Sequence, residues 1–220
     1  MSRTFDHVRE ELRESLFRMA GRSEAILDKA VKSFENHDVV RATEVKRDDL
    51  EIDRLDVEID REVLQALALH APVGEELRTV IAAKMTANEL ERIGDLARNI
   101  AKATIRLAGR SDVFVPEGFD RLAILAQVAL QRSLDALSRG DASLARQVLD
   151  EDDLIDEAED QVILSSLEEI SKKTESAPQV VDLILVARHL ERVGDHATNI
   201  AEQVILVEEA RNVKHISKIQ

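Results

Sequence analysis

The 220-residue chain contains no cysteine, tryptophan or tyrosine, and only 3 prolines, 7 glycines and 5 phenylalanines. Without cysteine, disulfides and thiolate metal sites are excluded. The scarcity of aromatic residues, glycine and proline disfavours a sheet protein with many turns. Ala, Leu, Glu and Arg, which favour helices, are abundant instead. We therefore expect an all-α protein.

Positive charge and long apolar runs are also lacking. The 30 Lys and Arg against 44 Asp and Glu give a formal net charge of −14. This balance disfavours binding to nucleic acid, whose phosphates are held mainly by Lys and Arg, and to anionic lipid. No run of 18 apolar residues occurs, and the N-terminus lacks a signal-peptide core. We expect a soluble, cytoplasmic protein that does not insert into a membrane.

One stretch of the sequence occurs twice. Residues 91–101 read ERIGDLARNIA and residues 191–201 read ERVGDHATNIA, so that eight of the eleven positions are identical. Residues 49–53 also match residues 152–156 at their first, fourth and fifth positions, at an offset of 103 instead of 100. Self-similarity over this length indicates two homologous units in one chain.

Hydrophobic periodicity and turn residues predict three helices in each unit. The domains expected are 1–109 and 119–212, joined by a linker at 110–118 and followed by a tail at 213–220. Predicted helices cover about 4–36, 38–70, 75–108, 119–139, 141–173 and 176–212. The core residues predicted are Leu12, Leu16, Met19, Ile26, Leu27, Ala30 and Phe34 of the first helix; Val45, Ile52, Leu55, Ile59 and Val63 of the second; and Leu90, Ile93, Ala97 and Ile100 of the first motif.

Acidic residues of neighbouring helices are predicted to face each other. Glu91, Asp95 and Asn99 are spaced by four residues, which places them along one line of a helix. If the hairpin of the second and third helices turns at Pro72, Asp95 lies opposite an acidic residue of the second helix. The pairs predicted in this way are Asp49 with Asp95, Asp53 with Glu91, Asp152 with Asp195, and Asp156 with Glu191.

Neighbouring helices lie 8–10 Å apart, so carboxylates that project into one groove could share an ion. Oxygen-only ligand sets suit hard cations such as Mg, Ca, Mn or oxidised iron. We therefore predict two metal sites, with Asp56, Asp60 and Glu159 as further outer ligands. The first consists of Asp49, Asp53, Glu91, Asp95 and Asn99, and the second of Asp152, Asp156, Glu191, Asp195 and Asn199. The alternative is a pair of acidic grooves that bind nothing specific.

The remaining residues of the motifs are interpreted structurally. We expect His189 and His196 to be ordinary surface histidines, and Arg92 and Arg192 to pair with neighbouring carboxylates. A glycine costs about 1 kcal/mol inside a helix, so the glycine of each motif is expected to let another helix pack closely. No phosphate-binding loop and no catalytic triad is found. The sequence therefore does not predict an enzyme.

The segments ELERIGDLARNIAK at 89–102 and HLERVGDHATNIAEQ at 189–203, together with the acidic segments 48–53 and 152–160, resemble the PhoU-like domain family. The resemblance extends from about residue 12 to residue 207. It implies two tandem three-helix bundles and E(D)xxxD motifs that hold metal ions, in some members as multinuclear iron clusters. Iron is therefore the metal that the resemblance favours.

The same resemblance implies a function as negative regulator of the phosphate-starvation response. PhoU-like proteins are thought to link the ATPase subunit of a phosphate ABC transporter to a membrane-bound sensor histidine kinase, and to restrain phosphate uptake. A homodimer is also expected. Two alternatives of other classes remain. One is a metal-free helical adaptor whose acidic grooves dock basic partner surfaces, and the other is a metal-dependent hydrolase that uses the carboxylates to hold ions which activate water.

Overall fold

The structure is a computed structural model, which describes residues 3–110 and 114–214. Positions 111–113 of the predicted linker and 215–220 of the predicted tail lie outside the described residues. The helices are α1 (Arg3–Glu35), α2 (Val39–His70), α3 (Glu75–Leu107), α4 (Phe119–Arg139), α5 (Ala142–Asp150), α6 (Asp153–Lys172) and α7 (Ala177–Glu209), with a 3-10 turn at Thr174–Ser176. The described part of the chain contains no β-strand. The all-α prediction is confirmed.

The predicted ends of the helices are correct to within three residues, and their caps explain why. The side chain of Asp38 accepts a hydrogen bond from the Arg41 amide at 2.9 Å, which caps α2. The side chain of Asp141 caps α5 in the same manner, with the amides of Ser143 and Leu144 as donors. Gly140 ends α4 in a left-handed conformation, with a φ of 63°.

The fifth predicted helix, 141–173, is interrupted. Glu151 and Asp152 separate α5 from α6, and the Leu154 amide donates to the Glu151 carbonyl at 3.1 Å, a tighter turn than an α-helix makes. Residues 150–153 read DEDD, and like charges that crowd one turn repel each other. Carboxylates are favoured in the first turn of a helix. The acidic run therefore begins a new helix instead of continuing the old one.

The two units are joined by their motif-bearing helices. Helices α1, α2 and α3 pack against one another, α4, α5 and α6 pack on α7, and α3 packs along α7. Buried side chains from all seven helices form one continuous hydrophobic core. Every residue predicted to be in the core is buried, including all four apolar positions of the first motif. Among the residues described, no helix is both long and apolar enough to cross a membrane.

The glycines of the two motifs lie at close helix contacts, as predicted. A Cβ added at Gly94 would lie 3.0 Å from Asp49 Oδ1 and 3.1 Å from Ile52 Cδ1 of α2. A Cβ added at Gly194 would lie only 2.6 Å from Ile155 Cδ1 of α6. A side chain at either position would require the contacting side chain, or the helix that carries it, to shift.

We predict that Gly194→Ala lowers the free energy of unfolding by about 1–3 kcal/mol, because the clash with Ile155 outweighs the better helix propensity of alanine. Gly21→Ala is the matched control, since Gly21 lies in α1 with no heavy atom within 4 Å of the added Cβ. It should stabilise the protein by up to about 1 kcal/mol. Urea unfolding measures both, and Ile155→Val should relieve the clash in a double variant. Equal effects of the two alanines would contradict the close contact.

Candidate metal centres

The first acidic cluster is organised around Asp49 of α2. This side chain is only 2% exposed, and its Oδ2 accepts a hydrogen bond from Arg98 Nη1 of α3 at 2.7 Å. Arg98 also pairs with Asp95 of its own helix. Burial raises the pKa of Asp49, Arg98 opposes this shift, and the charges of Asp53 and Asp95 add to it. One of the predicted pairs, Asp49 with Asp95, is thus brought together through Arg98.

Glu91 belongs to the same cluster. Its pKa is raised by burial first and then by the charges of Asp95, Asp56 and Asp53. Asp56 accepts a hydrogen bond from Lys84 Nζ at 3.1 Å, and the same ammonium group pairs with Asp60. Two of the predicted outer ligands therefore already share an ion pair with one lysine of α3.

The second acidic cluster is centred on Glu191 of α7, whose side chain is 11% exposed. Its pKa is raised to about 7, mainly by burial and by the charge of Asp195. Arg188 Nη1 lies 3.4 Å from Glu191 Oε1 and 3.0 Å from Glu159 Oε2. The other oxygen, Glu191 Oε2, is buried and has no hydrogen-bond partner within the described structure. Burial and then Asp195 also raise the pKa of Asp156. The charge of Asp156 in turn contributes to the raised pKa of Glu191, so the predicted pair of Asp156 and Glu191 lies in one cluster.

The two clusters differ in their internal cation. Arg98, which bridges Asp49 and Asp95 in the first unit, is replaced in the second by Thr198. The Thr198 hydroxyl donates to the backbone carbonyl of Asp195 at 2.8 Å and carries no charge. In the second cluster, Arg188 pairs with Glu159 and Glu191. The first cluster therefore contains a cation between its two helices at a position where the second has a neutral side chain.

The two asparagines hydrogen-bond away from the carboxylates of their motifs. Asn99 Oδ1 accepts from Lys102 Nζ at 3.2 Å on the same helix. Asn199 Nδ2 donates to Glu89 Oε2 at 3.1 Å, across the contact between α3 and α7. Their role as ligands stays a prediction.

The interpretation of His196 as a surface histidine is wrong. It is 8% exposed, and its Nδ1 lies 2.7 Å from Glu89 Oε2 on the other unit. Burial alone would raise the pKa of Glu89, but the hydrogen bonds from His196 and Asn199 outweigh it and hold the pKa below its usual value. The sequence did contain a clue, because the repeat departs from identity at Leu96, which corresponds to His196. His189 is half-buried, and burial followed by the charge of Arg192 lowers its pKa.

The arginines expected to pair with neighbouring carboxylates act only in part as predicted, since the charge of Arg92 lowers the pKa of Glu91 but no ion pair of Arg92 or Arg192 is found among the described residues. Arg92 and Arg192 are exposed, and the ion pairs of the described clusters are made by Arg98 and Arg188 instead. The sequence spacing could have predicted the ion pair of Arg98, since Arg98 follows Asp95 by three residues and lies on the same helix face.

The donor set fits a hard cation, although its side chains are spread apart. Among the residues described, no three His, Asp or Glu side chains stand where a single ion could join them. Carboxylates without a shared cation repel one another. The fit rests on the chemistry of the oxygens and on the buried, unpartnered Glu191 Oε2.

The fold and the acidic helices together define a class of protein: a tandem repeat of three-helix units, each with a row of carboxylates between two closely packed helices. The sequence model of the PhoU domain matches this chain twice, at residues 16–104 and 119–204. The chain belongs to the PhoU family.

Similar proteins agree with this membership. The phosphate-specific transport system accessory protein PhoU homolog of Pseudomonas aeruginosa is 31% identical over 219 residues, which cover 98% of this chain and 90% of that protein. Homolog 1 of Thermotoga maritima is 36% identical over 190 residues, covering 86% and 82%. The crystal structure of PhoU from Pseudomonas aeruginosa has a TM-score of 0.90 at 30% identity and covers 94% of this chain and 100% of that one. The phosphate transport system regulatory protein PhoU from Streptococcus pneumoniae has a TM-score of 0.88 at 26% identity, with 96% and 99% covered.

The raised pKa of Glu191 predicts how stability depends on pH. In the unfolded chain this group titrates near 4.5, and in the folded protein near 7. Between these values only the folded state retains the proton, so the free energy of unfolding falls as pH rises from about 4.5 to 7. Glu191→Gln, which cannot ionise, should therefore match wild type near pH 5 and exceed it by about 1–2 kcal/mol at pH 8, without added metal.

Urea unfolding at several pH values in the presence of a chelator measures this difference. Glu91→Gln, the equivalent change in the first unit, is the control and should show a smaller gain. A gain for Glu191→Gln that is independent of pH would show that the carboxylate is not destabilised by its surroundings.

Proposed function

We propose that this protein is a regulatory adaptor of phosphate transport, which holds metal ions in its acidic clusters and restrains phosphate uptake. In this proposal it links the ATPase subunit of a phosphate ABC transporter to a phosphate-sensing histidine kinase and acts as a negative regulator of the phosphate-starvation response. Support comes from its membership of the PhoU family and from relatives named as phosphate-specific transport system accessory proteins. The role proposed is regulatory and not catalytic.

The observation that carries the metal-binding part is the state of Glu191. The buried carboxylate oxygen without a partner and the pKa raised to about 7 support the view that Arg188 compensates the charge of Glu191 only in part. A divalent or trivalent cation supplies the remaining positive charge with hard-oxygen coordination. Iron is the metal favoured by family resemblance, and Mg, Mn and Ca share the same oxygen chemistry.

The carboxylates that would hold the ions come from two helices in each unit. The second site would use Asp152 and Asp156 from the α5–α6 segment with Glu191 and Asp195 from α7. In the first, Asp49 and Asp53 of α2 and Glu91 and Asp95 of α3 are the corresponding groups. A bound cation would neutralise the repulsion between them and tie the two helices together. The protein's own residues supply orientation, because Gly94 and Gly194 keep each helix pair close.

The two sites are proposed to be unequal. In the first, an ion has to displace the Arg98 guanidinium, which is already hydrogen-bonded to the most buried carboxylate, Asp49. In the second, Thr198 leaves this space without a charge. The second site should therefore fill at lower concentrations of metal.

Elemental analysis of protein purified without chelator or an affinity metal tests the metal part, followed by calorimetric titration with Mn²⁺ and Fe²⁺ under anaerobic conditions. Asp195→Asn should abolish the tighter site and leave the weaker one. Arg98→Thr, which copies the second unit, should strengthen the weaker site by about tenfold, because a competing charge is removed. Arg92→Thr removes an exposed arginine of the same motif and should change the affinity less than twofold.

Absence of binding after Fe, Mn and Mg have been supplied in turn would remove the metal from the proposal and leave the metal-free adaptor. Metal-dependent release of phosphate from p-nitrophenyl phosphate, lost in Asp195→Asn, would instead favour the hydrolase.

The adaptor part has its own test in the organism that encodes the chain. Deletion of the gene should leave phosphate-uptake genes expressed even when phosphate is plentiful. The purified protein should bind the organism's own transporter ATPase subunit and the cytoplasmic part of the kinase. Light scattering of the same samples shows whether the protein is the expected homodimer. Normal repression in the deletion strain would contradict the regulatory role, whatever the metal content.

A further inference from the structure

A cavity of about 360 Å³ lies between the two units, and none of the carboxylates of the described acidic clusters lines it. Helices α1 and α3 of the first unit and α4 and α7 of the second supply its walls. Much of the wall is apolar, with contributions from Leu12, Leu16, Phe17, Leu137 and Val204. A mostly apolar wall with a few polar groups is typical of a site for small molecules.

Two polar side chains in this wall are fully buried and incompletely hydrogen-bonded. Thr86 is 0% exposed and Gln203 is 2% exposed. Within the described structure, Thr86 Oγ1 and Gln203 Oε1 have no hydrogen-bond partner. Gln203 Nε2 donates to the Asn199 carbonyl at 3.4 Å, which leaves the amide oxygen for another group. Unpaired buried polar atoms cost about 1–3 kcal/mol each, so their presence requires an explanation.

The internal repeat shows that the fold does not require polar residues here. The residues at the equivalent positions of the other unit are Val186 for Thr86 and Ala103 for Gln203. Val186 is 0% exposed and Ala103 is 1% exposed, so the same helices pack well with apolar side chains. The two unpartnered oxygens therefore occur at the positions that line the cavity, and the equivalent positions of the repeat have apolar side chains.

Charge at the cavity is balanced. Its charged lining residues are Arg9, Arg13 and Arg139 together with Glu10, Glu75 and Glu208. Arg13 is already engaged, since it donates to the Ser138 carbonyl at 3.3 Å and lies over the Phe17 ring. With equal numbers of positive and negative side chains, the site does not select for a ligand of either net charge.

The size of the cavity also restricts the ligand. Since an apolar cavity of about 150 Å³ admits benzene, this larger one has room for a fused ring.

We propose that this cavity binds an uncharged, mainly apolar molecule of the size of a fused aromatic ring, whose N–H or O–H group donates to Gln203 Oε1 and Thr86 Oγ1. Such a ligand would contact both units at once. It would satisfy the two buried oxygens and fill the apolar space between α1, α3, α4 and α7.

Indole and 1-methylindole are a matched pair of probes, because they differ only in the N–H donor. A ¹H–¹⁵N NMR titration of the full chain, with a chelator present throughout, should show saturable shifts at cavity residues and at the Gln203 side-chain amide with indole. 1-Methylindole should bind about 5- to 50-fold more weakly, since it leaves the buried oxygens unpaired. Indole should also raise the melting temperature, because it binds the folded state.

Thr86→Val, which copies the equivalent residue, and Gln203→Leu, which nearly preserves volume, should each reduce the preference for indole, and together reduce it to less than about twofold. Ser166→Ala is the control, because Ser166 is also buried with an unpartnered hydroxyl but does not line the cavity. It should leave the preference unchanged.

Shifts that do not saturate, shifts outside the cavity, or equal affinities for the two probes in the wild type would overturn the proposal, and the cavity would then hold only water. Because the titration excludes metal, neither result depends on the acidic clusters.

Discussion

The structure depends on a close contact between helices that carry like charges. Gly94 and Gly194 lack a side chain, which allows the isoleucines of the facing helices to approach until an added Cβ would lie 2.6 to 3.1 Å from them. The same approach brings the carboxylates of both helices into one groove, where burial and mutual repulsion raise their pKa values. Apolar packing behind the groove holds the helices in place, since the neighbouring stripe of the motif is fully buried. Favourable burial and unfavourable charge are therefore coupled at adjacent positions of one helix.

Helix α7 contributes to two different contacts through two of its faces. One face of α7 presents Glu191 to the acidic cluster, and the other presents His196 and Asn199 to Glu89 on the first unit. The hydrogen bonds of Glu89 with His196 and Asn199, which connect the two units, thus lie within a few helical turns of the carboxylates. Because both faces belong to one rigid helix, any change in the charge of the cluster that moves α7 would also change these hydrogen bonds. This coupling is a hypothesis, and the Glu89–His196 hydrogen bond is the contact through which it would be detected.

The sequence predicted most of the fold because its patterns are local. Apolar spacing located every buried position that was named, Asp38 and Asp141 marked helix starts, and Gly94 and Gly194 marked close contacts. The opposed carboxylates were also predictable, because a hairpin of two long helices has one register once its turn is known.

The interruption at Glu151 was missed because helix propensity favours a helix there, whereas the crowding of four acidic residues acts against it. Contacts between units were not predictable from spacing. His196 was assigned to the surface because no pattern shows where α3 packs against α7.

The difference between Arg98 and Thr198 makes the two copies of the motif electrostatically unequal. A guanidinium on the helix is always present and always charged, so the first cluster keeps its compensation under all conditions. An ion is exchangeable, and its occupancy follows its concentration. If the second cluster takes an ion at lower concentrations than the first, as proposed, its charge changes while Arg98 still compensates the first. Two unequal clusters would then respond to metal over different ranges of concentration, whereas two identical clusters would respond together.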